Sequence, residues 1–267
     1  MCGTVVPMRT VSVVGIGAGD PDQLTLQAIK AIQRASVFFV IDKGAQPSGL
    51  VDARIAMLET HKGAVNFTVV EIPDPPRDRT PSNYQHAVTQ WHAQRADVLA
   101  AAITAHLKDG ETGAFLVWGD PALYDSTLRV FELMLESGNA TFEYEVIPGI
   151  TSIQALTARH RIPLNRIGEP IHITTGRRLR EGLPVGVTNA VVMLDAHCAF
   201  TEVADREGGE WDVWWGGNLG TVDEEIIAGR VGDVDDAITA ARSRVKEQAG
   251  WIMDTYLLRR RDEPDTT

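Results

Sequence analysis

Glycine, aspartate and proline recur together where apolar runs of this chain end. The stretch Thr10-Val-Ser-Val-Val-Gly-Ile-Gly-Ala-Gly-Asp-Pro-Asp-Gln-Leu-Thr25 passes from a β-prone segment into Gly15, Gly17 and Gly19 and then into Asp20-Pro21. A second run ends in Trp118-Gly-Asp-Pro-Ala-Leu-Tyr-Asp-Ser126 and a third in Pro148-Gly-Ile-Thr-Ser152. Glycine admits φ > 0 and has no Cβ, so turns of this kind let a backbone pass close to something. Thr151 or Ser152, after the third turn, would be a natural N-cap for a following helix. A Ser/His/Asp triad is not apparent. The histidines at 61, 86, 92, 106, 160, 172 and 197 include no pair at metal-ligand spacing on an evident helix face, so no metal site is expected.

The first turn admits three readings. A dinucleotide fingerprint needs G-x-G-x-x-G with an acidic residue about 20 residues on. Here the spacing is G-x-G-x-G, with the third glycine one residue early, although Asp42 does follow the next apolar run. A site for a different ligand and a tight turn without a ligand are the other two readings.

These turns need strands to position them. The pattern predicts strands near 11–16, 37–41, 66–71, 113–118 and 143–147, and helices near 24–35, 49–60, 84–107 and 126–137. Alternation of this kind implies a mostly parallel sheet with helices on both faces, and open α/β sheets bind ligands at the carboxyl ends of their strands. Each glycine turn falls at such an end, so the turns are expected to line one rim. Pro73-Asp-Pro-Pro-Arg-Asp-Arg-Thr-Pro81 cannot be the interior of a strand or helix, because its four prolines remove donors and fix φ. It is either a stiff surface loop or one whose Arg77 and Arg79 guard an anionic ligand. A boundary is expected near Pro148-Gly149, giving an N-terminal α/β domain over 1–148 and a C-terminal α+β domain over 149–262. After a short helix, Ser152 to His160, apolar runs at 170–174, 190–194, 211–215, 226–231 and 250–256 predict more antiparallel pairing, with one strongly periodic helix near 234–247. Stretches 180–189 and 205–210 read as loops.

Composition narrows the function. The chain has 267 residues, 44% hydrophobic and 23% charged, as in an ordinary enzyme with a substantial core. Its formal charge of −11 argues against nucleic acid, whose phosphates call for basic surface. No apolar run approaches the ~20 residues of a membrane span. The start, Met-Cys-Gly-Thr-Val-Val-Pro, lacks the basic and apolar regions of a signal peptide. Cys2 and Cys198 show no C-x-x-C spacing, so a reduced cytoplasmic protein is expected.

Val14-Gly-Ile-Gly-Ala-Gly-Asp-Pro21, Gly119-Asp-Pro121, Pro148-Gly-Ile-Thr-Ser152 and Leu219-Gly-Thr-Val-Asp-Glu-Glu225 together resemble the tetrapyrrole methylases, which use S-adenosylmethionine on corrin and porphyrinoid substrates. The resemblance runs in order over nearly the whole chain. It departs at Ala18, where the family usually has proline, at some cost in loop rigidity. Phe38-Phe-Val-Ile-Asp-Lys-Gly44, Val70-Glu-Ile-Pro-Asp-Pro-Pro-Arg-Asp-Arg79, Trp118 to Thr127, Arg161-Ile-Pro-Leu-Asn-Arg-Ile-Gly-Glu-Pro170 and Gly250-Trp-Ile-Met-Asp-Thr-Tyr-Leu-Leu-Arg-Arg260 resemble a narrower group. Its members methylate ring carbon 1 of precorrin-5 and release the acetyl group as acetate.

The resemblance implies a two-domain α/β tetrapyrrole methylase fold, a homodimer, and a cofactor held between the domains. Gly119, Asp120, Pro121, Ala122 and Leu123 would bind S-adenosylmethionine and its product S-adenosylhomocysteine, with Thr151 and Ser152 beside them. Met193, Leu194, Leu219, Gly220 and Thr221 would close the other side. For Thr151 and Ser152 a helix cap, and for Met193 and Leu194 core packing, are the competing roles. Gly15, Gly17, Gly19 and Asp20 would line the macrocycle trough. The substrate's carboxylates call for guanidinium groups, and Arg77, Arg79, Arg161, Arg166, Arg177 and Arg178 are the candidates. Loss of the acetyl group needs activated water. Asp20, Asp42, Asp125 and His172 are candidate bases, with Tyr124 as a donor to the acetyl oxygen. Asp42 follows a buried strand at the expected rim and leads this group.

Overall fold

The computed structural model describes residues 8–42, 49–62, 67–76, 83–208 and 210–261; at 42, 49–53 and 84 the description is of the backbone alone. Arg77 and Arg79 lie outside the described residues, as does the side chain of Asp42. The chain divides into two compact units, one reaching to Gly17 and continuing from Pro21 to Ile150, the other made of Ala18–Asp20 with everything from Thr151 onward.

In the first unit, β1 (Thr10–Gly15), α1 (Leu26–Arg34), β2 (Val37–Asp42), α2 (Gly49–Lys62), β3 (Thr68–Pro73), α3 (Tyr84–His106), β4 (Thr112–Val117), α4 (Thr127–Ser137) and β5 (Glu143–Ile147) alternate. The sheet order is β3-β2-β4-β1-β5 and every pairing is parallel. Alternate side chains feed two cores. Val11, Val13, Phe39 and Phe115 face Leu99, Ile103, Phe131 and Met134 of α3 and α4. Val14, Phe38, Ala114 and Leu116 face Ala28, Ile32, Met57 and Leu58 of α1 and α2. Burial on both faces is why these strands read as apolar runs. Thr25 caps α1, its hydroxyl accepting the Ala28 N–H at 3.0 Å. The other end of α1 meets the Lys62 ammonium, which donates to the carbonyls of Ile32, Gln33 and Ala35, a cation where the helix dipole favours one.

The second unit comprises α5 (Ser152–His160), β6 (His172–Thr175), α6 (Gly176–Leu179), β7 (Asn189–Met193), α7 (Phe200–Glu207), β8 (Trp211–Gly217), β9 (Glu225–Arg230), α8 (Val231–Ala249) and β10 (Asp254–Arg260). Its sheet order is β6-β7-β10-β8-β9; only β6 and β7 pair in parallel. Val192, Val213, Trp215, Tyr256 and Leu258 pack against Phe200, Val203, Ile238 and Ala241 of α7 and α8.

Three local expectations are corrected here. The stretch 205–210 is not all loop, because α7 runs to Glu207. Only Phe200 and Val203 are buried along α7, too few to print a helical period on the sequence. The four-residue α6 was missed because it is too short to show a helical period. The last strand lies four residues beyond the expected 250–256, since its charged end is held in place. The Arg259 guanidinium lies 5.2 Å from the Trp214 ring centroid and donates to Asn189 Oδ1 and to the carbonyls of Pro163 and Leu164.

Candidate functional site

In the first unit β4, β1 and β5 are neighbours, so the turns at their carboxyl ends lie side by side. Gly17 and Gly119 form an antiparallel bridge, with N···O distances of 2.8 and 3.3 Å. A Cβ on Gly149 would sit 2.1 Å from the Gly119 carbonyl oxygen, and one on Gly15 would sit 2.6 Å from the Gly149 nitrogen. The glycines are thus required by one another. That explains them without a pyrophosphate and removes the motive for the dinucleotide reading.

Asp120 fastens this rim. Its Oδ2 accepts the Gly149 N–H at 2.9 Å and its Oδ1 the Ala122 N–H at 2.8 Å. The Leu123 N–H closes a turn on the Asp120 carbonyl at 3.2 Å. Pro121 is buried and Ala122 exposed, so the turn offers a small apolar face. Tyr124 follows at φ 53°, exposed, with partial removal from water pushing its phenol pKa up. Asp125 is tied to the start of α4, its Oδ1 accepting the Thr127 N–H at 2.7 Å. It also faces Arg54, which the sequence reading passed over. The Arg54 Nε donates to the Leu116 carbonyl at 3.1 Å and the group lies 6.0 Å from the Trp118 ring centroid. Desolvation lowers the Arg54 pKa, and the Asp125 charge opposes that shift.

Arg95 and Asp74 form a second fastening that the reading missed. Two parallel bonds of 2.6 and 2.9 Å join them, and a third runs from Arg95 to Ser126 Oγ at 2.9 Å. Arg95 also stacks on Trp91, 4.2 Å from the ring centroid, while the Trp91 indole N–H donates to the Pro75 carbonyl. The end of the Gly119–Ser126 turn is thereby tied to the start of the proline-rich loop.

In the second unit Thr151 serves as the N-cap of α5. Its hydroxyl accepts the Ile153 N–H at 3.2 Å, and Gln154 returns the bond to the Thr151 N–H. Ser152 plays a different part: its Oγ accepts from Thr255 Oγ1 at 2.9 Å. Thr255 pairs in register with Met193, so β10 brings Ser152 and Met193 to one locality. Met193 is half-buried, and Leu194 is exposed with φ 54°. The competing core role therefore fits Met193 in part and Leu194 not at all.

The turn Leu219–Thr221 lies against Ala18–Asp20. A Cβ on Gly19, at φ +151°, would fall 2.6 Å from Thr221 Cγ2, and one on Gly220 would fall 2.8 Å from the Asp20 nitrogen. The carboxylate of Glu224 holds the turn, accepting the Gly220 N–H at 2.6 Å and the Arg159 guanidinium at 3.0 Å. Thr221 Oγ1 donates to the Asn218 carbonyl at 2.8 Å. Gly19 and Asp20, named for the substrate, thus stand with Leu219, Gly220 and Thr221, named for the cofactor.

Among the arginines, Arg177 and Arg178 lie on α6, and Arg178 is paired with Glu181 at 2.6 Å. Arg166 donates to the Arg260 carbonyl, and Arg161 is the left-handed C-cap of α5. His172 opens β6 and is half-buried. Among the described residues no group of three or more His, Cys, Asp or Glu is gathered to hold a metal ion, and no helix is long and apolar enough to cross a membrane.

The donor set fits a methyl-donor cofactor. Each unit by itself offers polar groups beside small or exposed apolar ones, the glycine turns with Ala122 in the first and the Ser152 and Thr255 hydroxyls with the exposed Leu194 in the second, and these are the kinds of group an adenosine with an amino-acid tail requires.

The sequence pattern of the tetrapyrrole (corrin/porphyrin) methylases matches residues 10–235. A Sinorhizobium precorrin-6A synthase [deacetylating] is 46% identical over 253 residues, covering 95% of this chain and 96% of that protein. The solved structure of a cobalamin synthesis related protein (CobF) from Corynebacterium diphtheriae is 42% identical, with a TM-score of 0.80, covering 96% of this chain and 100% of that one. A Thermus thermophilus uroporphyrin-III C-methyl transferase complexed with S-adenosyl homocysteine shares the fold at 20% identity and a TM-score of 0.58, covering 93% and 96% of the two chains. With the family pattern spanning 10–235 and a relative of nearly equal extent, the chain belongs to the tetrapyrrole (corrin/porphyrin) methylases.

Proposed function

We infer that this chain is a precorrin-6A synthase of the deacetylating type, an S-adenosylmethionine-dependent methyltransferase of cobalamin biosynthesis. It places a methyl group on ring carbon 1 of precorrin-5 and releases the acetyl group as acetate. The observation that carries this is the 46% identity to the Sinorhizobium enzyme, maintained across 95% of the chain.

When bound, S-adenosylmethionine supplies an electrophilic methyl on a sulfonium. The chain's own residues have to position the ring carbon and keep water out, a task that needs no nucleophilic side chain. Gly119, Asp120, Pro121, Ala122 and Leu123, together with Ser152, Met193, Leu194, Leu219, Gly220 and Thr221, are the proposed cofactor contacts. Asp120 and Thr151 act there by holding backbone, since their side chains are taken up by Gly149, Ala122 and Ile153. Gly15, Gly17, Gly19, Asp20, Arg77, Arg79 and Arg177 are the proposed macrocycle contacts. Asp42 is the proposed base, with Asp125 and His172 as alternates and Tyr124 as a donor to the acetyl oxygen. The homodimer and a cytoplasmic setting complete the reading; the exposed Val222, in the turn before edge strand β9, with Ile226 on that strand, and the free thiol of Cys198 support them.

The deciding experiment incubates the protein with precorrin-5 and isotopically labelled S-adenosylmethionine and follows the product by mass spectrometry. One labelled methyl gained with one acetyl lost is expected. Methyl transfer with the acetyl retained, or activity only on another precorrin, overturns the assignment.

A further inference from the structure

The turn after β7 is built inside out. Leu194, apolar, is 60% exposed, while the neighbouring Asp195 is 3% exposed. Leu194 and Cys198 both adopt left-handed φ, 54° and 53°, which residues with side chains avoid unless their surroundings impose it. The imposing groups surround Asp195. Its Oδ1 accepts the His197 N–H at 2.9 Å, and its Oδ2 accepts the Ala199 N–H and the Tyr256 hydroxyl, each at 2.6 Å. Its main-chain carbonyl accepts from the Arg242 guanidinium at 3.0 Å. Arg242 also pairs with Asp254 at 2.9 Å, and Asp254 accepts the Trp215 indole N–H at 3.3 Å. β8 and β10 thus send buried polar groups, and α8 the half-buried Arg242, into one network that ends on this turn. From a further side, a Cβ on Gly176 would lie 2.4 Å from the Asp195 carboxyl carbon, so α6 approaches closely only because that residue is glycine.

A helix cap for α7 would need the Ala199 N–H bond alone. The additional anchoring from Tyr256 and Arg242 fixes the segment between Met193 and Asp195, where nothing of α7 lies. We propose that Asp195 is a positioning residue: through Tyr256 and Arg242 it holds the turn that presents the Leu194 main chain to the methyl donor. The proposal rests on the reading of Met193 and Leu194 as cofactor contacts.

S-adenosylhomocysteine is the probe, read by calorimetry and by amide NMR of the full chain. In the parent protein the Leu194 amide resonance should shift on addition of the ligand. Tyr256→Phe removes one hydroxyl and keeps the ring that packs edge-on against Phe200 at 5.2 Å. It should weaken S-adenosylhomocysteine binding by at least about fivefold, raise KM for the methyl donor in step, and leave kcat nearly unchanged. Asp195→Asn should do the same more strongly. Ile238→Val, which trims the buried α8 face of the same unit, controls for general destabilisation and should leave affinity within about twofold. A silent Leu194 amide overturns the cofactor reading and the proposal with it. A shifting amide, with affinity unchanged in Tyr256→Phe and Asp195→Asn, or lost equally in Ile238→Val, overturns the proposal alone.

Discussion

The carboxylate of Asp120 reaches the Gly149 N–H at 2.9 Å, joining the turn that follows β4 to the turn that follows β5. Between them runs β1, whose Gly15 packs on both. One side chain therefore sets the spacing of three strand ends that glycine alone leaves free to close. Asp120→Ala leaves the N–H groups of Gly149 and Ala122 without their acceptor, at a cost of about 1–3 kcal/mol for each that stays buried. Asp120→Asn keeps one oxygen and should cost less. Urea unfolding should rank parent, Asn and Ala in that order, and equal midpoints for the three would show that the rim does not depend on this bond.

The Arg95–Asp74 pair makes a separate claim. Its side chains are 8% and 11% exposed, so both charges are largely out of water. Removing one partner of a buried pair typically costs about 3–5 kcal/mol, because the other charge is stranded. Asp74→Leu and Arg95→Met should each destabilise on that scale, and the two together should cost less than either alone. A double-mutant cycle by denaturant unfolding measures this. Additive losses would mean the two residues act independently.

Much of this was legible from residues 10–150, because buried parallel strands print themselves as apolar runs and glycine turns punctuate them. Phe38–Ile41 and Phe115–Val117 are sandwiched between helices and are apolar throughout, and Val11–Val14 is apolar but for Ser12, whose buried hydroxyl donates to Glu145 at 2.7 Å. The convergence of Gly15, Gly119 and Gly149 was readable as turns at strand ends, but not as glycines packed on one another. The second unit was less readable. Asp195, Arg242, Asp254 and Tyr256 come from three separate elements, and no local spacing links an aspartate to a tyrosine 61 residues on. Nothing local in the sequence marks Arg54 or Arg95; their roles come from Leu116 and Trp118 around the one and Asp74 and Trp91 around the other.

Tyr256 makes the network sensitive to alkali. An unfolded tyrosine ionises near pH 10. In the folded chain desolvation, then the Asp195 charge and the hydrogen bond to it, raise the Tyr256 pKa well above that value. The folded protein keeps a proton that the unfolded chain has lost once pH passes about 10. Stability is therefore intact below that point and falls as pH rises toward the folded pKa, by up to about 1.4 kcal/mol per pH unit for one proton. Tyr256→Phe should flatten this part of the profile. Urea unfolding of both proteins from about pH 8 to about pH 11 gives the comparison, and parallel profiles would mean that Tyr256 ionises as in water.

Asp42 is the proposed base on grounds of place. β2 ends at Asp42, opposite Pro73 of β3, and runs parallel to β4, so its terminus is at the same end of the sheet as the Gly119 turn. Of the alternates, Asp125 already has one oxygen on the Thr127 N–H and faces Arg54, so its carboxylate is engaged at the start of α4. A general acid or base contributes about 10²–10⁴-fold. Asp42→Asn should slow turnover by that range and leave S-adenosylhomocysteine affinity within about twofold of the parent. If Asp42 serves only the release of acetate, a methylated product that keeps its acetyl group should accumulate and be seen by mass spectrometry. Turnover within about twofold of the parent would remove Asp42 from the role and leave Asp125, on the turn fastened by Arg95 through Ser126, and His172, at the start of β6, as the next residues to replace.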